Sequence, residues 1–183
     1  MSISMVIGHN DEPCIRYLLS IGANPSFGPR LNAPGHPTTH RAISNSGFIL
    51  NKAAELCSPA IFALLLSHGA SVSHEGAMPL HYAAGHPPSP TSRIPMLEYL
   101  VDELGMDVNA WDDALNSAND GRGQTGTPLC YAVKCGHVEE TKWLLGNGAE
   151  PDRKTPWGAS ARILADRLPP DHAIRNLLAE FEA

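Results

Sequence analysis

Basic residues are scarce along this chain, and they are fewer than the acidic ones. The 183 residues include 13 Lys and Arg against 19 Asp and Glu, which gives a formal net charge of −6, and no run of five like charges occurs. A nucleic-acid backbone or an anionic membrane surface requires a concentrated basic stripe. The sequence therefore predicts neither a nucleic-acid partner nor a membrane partner.

Long apolar runs are also missing. Ile61–Leu66 is among the longest, and it falls far short of the roughly 20 residues that a transmembrane helix needs. The opening stretch Met1–Ile7 has no positively charged segment and no small-residue cleavage site, so it does not read as a signal peptide. These absences predict a soluble intracellular protein of the cytoplasm or the nucleus.

Cysteine is limited to four residues without a Cys-x-x-Cys pair, namely Cys14, Cys57, Cys130 and Cys135. Each falls within a stretch of helical pattern or at its end. Cysteines in such positions behave as small apolar side chains, and a reducing compartment keeps them as thiols. We therefore predict buried thiols in a reducing compartment.

Motifs that bind cofactors or form active sites are absent as well. Neither phosphate-binding glycine loops nor G-x-S-x-G nor H-E-x-x-H patterns occur, so we predict no cofactor and no catalytic residue. His36 and His40 are spaced as a zinc-binding pair on a helix would be, but Pro37 argues against a helix there. Asn116–Gly121 faintly resembles a calcium loop, yet Thr127 stands where that loop needs a bidentate Glu. We predict no metal site at either place.

What the chain does contain is internal repetition, in two phrases that recur in a fixed order. One is a pair of branched apolar residues followed by a short gap and Gly, at 18–24, 65–70, 100–105 and 144–149. The other precedes it, with clear copies at Met78–Ala84 and Thr127–Val133 and a weaker copy at Leu50–Ala54. Self-similarity of this kind is the signature of a repeat architecture.

These phrases resemble the ankyrin repeat, whose signature is T-P-L-H-x-A with a period of about 33 residues. The fullest copy runs from Thr127-Pro128-Leu129 through Gly136-His137 to Leu144-Leu145 and Gly148-Ala149. The resemblance covers almost the whole chain. It implies an all-α ankyrin-repeat solenoid of about four and a half helix-turn-helix repeats with long inter-repeat loops.

The spacing of the repeats places the insertions. The glycines that end successive repeats lie 47, 36 and 43 residues apart, at Gly22, Gly69, Gly105 and Gly148. We predict a single domain over residues 1–183, with repeats at approximately 1–25, 48–75, 78–111, 127–152 and 158–183. The excess length forms insertions at 26–47, 86–94 and 112–126, where exposed backbone tolerates it. The resemblance implies that the linking turns project as fingers beside a concave face, so lengthened fingers favour a binding edge.

Individual residues of the repeat have physical roles. Thr127 is expected to cap the first helix of its repeat with its hydroxyl, and Pro128 suits the first helical position because its missing N–H needs no partner. Glycine suits the left-handed residue that ends a helix, as at Gly22, Gly69, Gly136 and Gly148. The two ends of the chain are expected to be degenerate, with a first helix in Met1–Ile7 and a last pair in Ser160–Leu168 and Asp171–Phe181.

The resemblance also assigns structural roles to two histidines. It implies that His81 hydrogen-bonds backbone in the neighbouring turn. It likewise implies that His137 braces the loop between helices. Both residues are expected to be scaffold rather than catalytic machinery.

The resemblance places the residues that end each finger and begin each inner helix on the concave face. Here these are His74, Glu75, Tyr82, His86, Trp111, Asp112, Asp113, Tyr131 and Lys134. We select Trp111 as the anchor, because Trp side chains dominate the energetics of many interfaces. The alternatives are that Trp111 packs under its own insertion and that Tyr82 and Tyr131 pack together. Trp157 has the same ambiguity.

These features predict a non-catalytic scaffold or adaptor, acting as a monomer, that binds a partner protein or peptide on its concave and finger surface. The acidic residues predict basic residues on that partner. The alternative is an enzyme or small-molecule binder whose pocket is built from the insertions Ser26–Gly47 and Asp112–Gly126.

Overall fold

The computed structural model describes residues 3–29, 42–74, 76–86, 92–112, 126–155 and 158–181. The described residues divide into two compact units, one up to Pro79 and the other from Leu80 onward.

The first unit consists of antiparallel helix pairs and one short strand pair. Its helices are α1 (Ile3–Gly8), α2 (Glu12–Ser20), α3 (Phe48–Leu56) and α4 (Pro59–Ser67). The strands β1 (Gly28–Pro29) and β2 (Ala42–Ile43) pair in antiparallel register, with Gly28 opposite Ile43. The predicted first helix is thus confirmed, beginning at Ile3 and ending at Gly8.

The core of the first unit lies where α1 and α4 pack against α3. Ala53 and Ala54 are completely buried, and their small side chains let neighbouring helices approach closely. Larger apolar side chains fill the remaining space: Ile7, Ile15, Ile49, Leu50, Ile61, Phe62 and Leu65. Ser58 begins α4 by accepting a hydrogen bond from the Ile61 N–H through its hydroxyl, directly before Pro59.

The second unit repeats this helix-pair arrangement. Its helices are α5 (Pro79–Ala84, whose first residue closes the first unit), α6 (Ile94–Glu98), α7 (Pro128–Cys135), α8 (Val138–Gly146), α9 (Ala161–Ala165) and α10 (Ala173–Glu180). A π-helical turn (Tyr99–Glu103) continues α6, and the Leu104 N–H bonds to the Tyr99 carbonyl five residues back. The predicted C-terminal pair is present and begins at Ser160, whose hydroxyl caps α9.

The core of the second unit is built around α7, which packs against α8 and α9. Leu129, Ala132 and Val133 of α7 are completely buried. The predicted apolar stripe of α6 is buried as well, at Met96, Leu97 and Leu100. It is core, as its helical spacing predicted.

The helix ends confirm the glycine assignments and correct the threonine one. Gly136 follows α7 in the left-handed conformation, at φ 78°, and Gly22, Gly69 and Gly148 also have positive φ. Thr127 does occupy the N-cap position of α7, but the prediction of a hydroxyl cap is wrong. Its Oγ1 lies 3.6 Å from Cys130 Sγ instead, because the side chain is buried against that thiol.

The all-α prediction is confirmed, since the strands of the described residues are only the two-residue pair. The predicted burial of the thiols is confirmed for Cys57 and Cys130, whereas Cys14 is half-buried and Cys135 is exposed, so the prediction of burial is wrong for Cys135. Every helix within the described ranges falls short of the length and apolarity that crossing a bilayer requires.

Candidate partner-binding site

A tight turn at residues 107–112 carries the tryptophan, and we call it the Trp111 finger. The Asp107 carboxylate accepts a hydrogen bond of 2.8 Å from the Asn109 N–H, and its carbonyl accepts one of 3.0 Å from the Ala110 N–H. Asp side chains favour turns of this kind because they mimic a backbone acceptor. The finger is therefore shaped locally, by Asp107.

Asn109 fastens the Trp111 finger to the turn of the next repeat (148–155), which we call the following finger. The Asn109 amide donates to the Gly148 carbonyl at 2.9 Å and accepts from the Glu150 N–H at 2.8 Å. A side chain that bonds one backbone donor and one backbone acceptor at once satisfies two groups of the neighbouring turn. The two fingers are held side by side as a result.

His81, on α5, contacts the backbone of the Trp111 finger. Its Nε2 lies 3.1 Å from the Ala110 carbonyl oxygen, so Nε2 carries the proton and donates. Burial lowers the pKa of His81 from 6.5 to about 4, against the opposing influence of the Asp112 carboxylate. The ring also meets Tyr131 edge-on, with centroids 5.2 Å apart. His81 is thus a neutral brace at physiological pH.

Asp112 and Gly126 flank the predicted insertion and are hydrogen-bonded to each other, and we call this bonded pair the neck. The Asp112 N–H donates to the Gly126 carbonyl, and the Gly126 N–H donates back to Asp112 Oδ2, both at 3.0 Å. The Tyr131 hydroxyl donates to the same Oδ2 at 3.0 Å. Gly126 has φ 115° and lies so close to Thr155 that a Cβ would meet its methyl group at 2.8 Å, so only glycine fits there. The Asp112 carboxylate is therefore engaged by its own chain.

Trp111 lies next to this neck in the sequence, and its side chain is partly exposed to solvent. It is 41% exposed, although large aromatic side chains usually bury more. The guanidinium carbon of Arg153, on the following finger, lies 5.0 Å from its ring centroid, which is a cation–π contact. Arg153 Nη1 lies 3.7 Å from Glu150 Oε1 as well. The indole thus has a cationic side chain against it and is still partly exposed to solvent.

Comparison with known families identifies this arrangement. Residues 50–155, more than half of the chain, match the model of the ankyrin-repeat family in three copies. This chain belongs to the ankyrin-repeat family. No curated protein shows a significant match to it.

Membership of the ankyrin-repeat family confirms the resemblance and gives the finger a context. Ankyrin repeats generally mediate protein–protein interaction and are typically not enzymes. The two structural histidines have the predicted contacts, since His81 bonds to Ala110 and His137 Nε2 lies 2.6 Å from the His86 carbonyl oxygen. Both histidines therefore contact the backbone, as the resemblance implied.

The predicted surface residues are not equally accessible in the ankyrin fold. Trp111 and Lys134 are exposed, and Asp112 and His74 are half-buried. Tyr82, His86 and Tyr131 are nearly completely buried, at 4%, 4% and 3%. Glu75 and Asp113 lie outside the described residues, as do Trp157, His36, His40 and 116–121. The structure brings Trp111, Asp112 and Tyr131 together, whereas His74 belongs to the first unit.

Two residues that hold the ankyrin fingers were missed by sequence reasoning. The Asp107-x-Asn109 spacing is a turn signal that identifies Asn109 locally, but not its bonds to Gly148 and Glu150. Arg153 carried no signal at all, because its contact with Trp111 joins residues 42 positions apart. Contacts of that kind arise only when neighbouring repeats stack.

The insertions that would form the alternative ligand pocket lie largely outside the described residues, so that alternative stays a prediction. A cavity of about 320 Å³ lies elsewhere, on the C-terminal helix pair. Its Arg162 and Arg175 side chains bond to Asp152, to Asp166 and to backbone carbonyls at helix ends. Those cations stabilise the ends of the chain's last helices.

Proposed function

We propose that this ankyrin-repeat chain is a non-catalytic adaptor that binds a partner protein or peptide at the Trp111 finger. The observation that carries the proposal is the exposure of Trp111 on a turn that is hydrogen-bonded at Asp107 and again at Asp112. Exposed apolar surface on a rigid element is typical of interaction sites.

A held tryptophan makes a better anchor than a free one. Binding costs free energy for each side chain that becomes ordered, and the Arg153 contact has already ordered this ring. The buried brace of His81 and the Asp112–Gly126 neck order the backbone beneath it. A partner that covers the exposed part of the indole would therefore retain most of the free energy gained by burying it.

The charge around the finger favours a basic partner. Asp107 is exposed on the Trp111 finger, whereas Glu150 and Asp152 of the following finger already pair with Arg153 and Arg162. The Asp107 carboxylate and the net charge of −6 favour association with lysine- or arginine-containing segments. We further propose that the protein acts as a monomer in the cytoplasm or the nucleus, where its four thiols stay reduced.

The test begins with crosslinking mass spectrometry in the native cell, followed by binding of the purified partner by calorimetry. Trp111→Ala should weaken that binding by about 10-fold or more, the effect of losing an anchor residue. Tyr17→Ala is the matched control, because Tyr17 is an exposed aromatic residue at 63% in the first unit. Unchanged affinity of the Trp111→Ala variant would reject the anchor.

The Arg153→Gln variant tests whether the cation–π contact with Trp111 contributes to binding. This variant leaves the indole in place but removes the cation above it. We expect a smaller loss of affinity than for Trp111→Ala, because only the ordering of the ring is lost.

A further inference from the structure

Three potential metal ligands meet away from the Trp111 finger, where α5 ends and α8 begins. His86 follows α5, His137 is the N-cap of α8, and Glu140 lies three residues later in the first turn of that helix. One ligand atom from each lies within 4.8 Å of the others. His86 is 4% exposed, Glu140 is 6% exposed and His137 is half-buried. The set has the composition His₂Glu, which is a zinc ligand set.

The groups around these ligands orient them as the outer shell of a metal site does. His137 Nε2 donates to the His86 carbonyl oxygen at 2.6 Å, which fixes the neutral tautomer whose lone pair is on Nδ1. Glu140 Oε1 accepts from the Arg93 N–H at 3.1 Å. Metal-binding histidines almost always donate their second ring nitrogen to a carbonyl or carboxylate, and metal-binding carboxylates are hydrogen-bonded in turn.

Two of the ligand atoms already lie close together. His86 Nε2 is 3.5 Å from Glu140 Oε1, which is near the separation of two ligand atoms on one zinc ion.

One rearrangement is required. The two imidazole rings are stacked, with centroids 4.0 Å apart and planes 6° from parallel. A ring nitrogen binds metal in the plane of its ring, so two parallel rings do not point at one ion. One ring must turn about its Cβ–Cγ bond, and the ligand atoms must draw in to about 3.3 Å from one another, the separation in a tetrahedron of 2.0–2.1 Å bonds.

We propose that His86, His137 and Glu140 bind one Zn²⁺ ion, with water in the fourth position. The ion would link the end of α5 to the start of α8 and so join two successive helix pairs of the second unit. It would replace the stacked pair by a coordinated one. This site is independent of the proposed function at Trp111.

The experiment titrates zinc chloride into chelator-treated full-length protein at neutral pH, followed by calorimetry. We expect one equivalent to bind and the thermal midpoint to rise with Zn²⁺ but not with Mg²⁺, which prefers oxygen ligands. His137→Gln and Glu140→Gln should each weaken binding by about 10-fold or more. His68→Gln is the matched control, because His68 is exposed in the first unit. His36→Gln combined with His40→Gln tests the other histidine pair.

Absence of saturable zinc binding would overturn the site, as would wild-type affinity in both His137→Gln and Glu140→Gln. Loss of binding in the His36/His40 variant alone would also overturn it. Far-UV circular dichroism checks that each variant is folded. Should the ligand variants fail to fold, Co²⁺ bound to the wild-type protein decides the matter. A visible spectrum without thiolate charge transfer supports His and Glu ligands, and a thiolate band assigns the metal to the cysteines instead.

Discussion

Asn51 in the first unit and His81 in the second occupy the same position of their repeats, directly after Leu50 and Leu80, and both are almost completely buried. Both brace the turn that leads onward along the chain. The Asn51 amide donates to the Gly76 carbonyl and accepts from the Met78 N–H, each at 2.7 Å. The His81 ring donates to the Ala110 carbonyl at 3.1 Å.

The difference is chemical rather than architectural. An amide satisfies a backbone donor and a backbone acceptor together and has no proton to gain in the physiological range. A neutral imidazole also has one donor and one acceptor, but it becomes charged when the pH falls. The same repeat position therefore gives a brace that is independent of pH in one unit and a brace that weakens in acid in the other.

The largest effect is expected for Asn51→Ala. It removes two hydrogen bonds and leaves the buried Gly76 carbonyl and Met78 N–H without them. The free energy of unfolding should fall by roughly 3 kcal/mol, since each stranded group costs about 1–3 kcal/mol. Urea denaturation of the wild-type and Asn51→Ala proteins measures this change in the free energy of unfolding.

Asn176→Ala is the control for that substitution, because Asn176 is exposed on α10. Its effect should stay within about 0.5 kcal/mol, as for most surface substitutions. If Asn51→Ala were as mild as this control, the double brace would contribute little and the comparison with His81 would fail.

A second prediction concerns pH. The folded pKa of His81 is about 4 and its unfolded value is 6.5, so the unfolded chain binds more protons between these values and stability falls as the pH drops through this window. The wild-type protein should lose about 2 kcal/mol from this group between neutral pH and about pH 5. The His81→Gln variant lacks the titrating group. Its free energy of unfolding should therefore fall by about 2 kcal/mol less than that of the wild-type protein over the same pH range.

The measurement is urea denaturation of both proteins at the two pH values. His68→Gln, which changes an exposed histidine of the first unit, should keep the wild-type slope. Equal slopes for the wild-type and His81→Gln proteins would contradict a buried neutral imidazole.

The smallest effect is expected next to the histidine brace. Tyr131→Phe keeps the ring against His81 but removes the hydroxyl that donates to Asp112. We expect a loss of about 1.5 kcal/mol, typical of a hydrogen bond to a charged group, because the Gly126 N–H still binds the carboxylate. Tyr17→Phe, at an exposed tyrosine, should cost almost nothing. Equal values for the two variants would show that the Asp112 bond adds no stability.

Local features of the fold were predictable from the sequence. The helix pairs follow from apolar spacing, as in the buried stripe Met96, Leu97 and Leu100. The helix end at Gly136 follows from the left-handed conformation that glycine adopts at low cost. The role of His81 followed from the family resemblance, and its bond to Ala110 confirms it.

Features that depend on neighbours distant in sequence were not predictable in the same way. Thr127 had the residue type and position of a cap, yet burial beside Cys130 turned its hydroxyl toward the thiol. Tyr82 and Tyr131 had the positions of surface residues in the family, and packing buried them.

The sequence by itself determined that this chain forms stacked helix pairs, because spacing, small residues and glycines act within a few residues of each other. Only the tertiary structure decided which side chains meet across repeats. Arg153 reaches Trp111, and His86 reaches His137 and Glu140, because the packing of successive helix pairs brings together residues about 40 to 55 positions apart. No periodicity in the chain encodes those pairs.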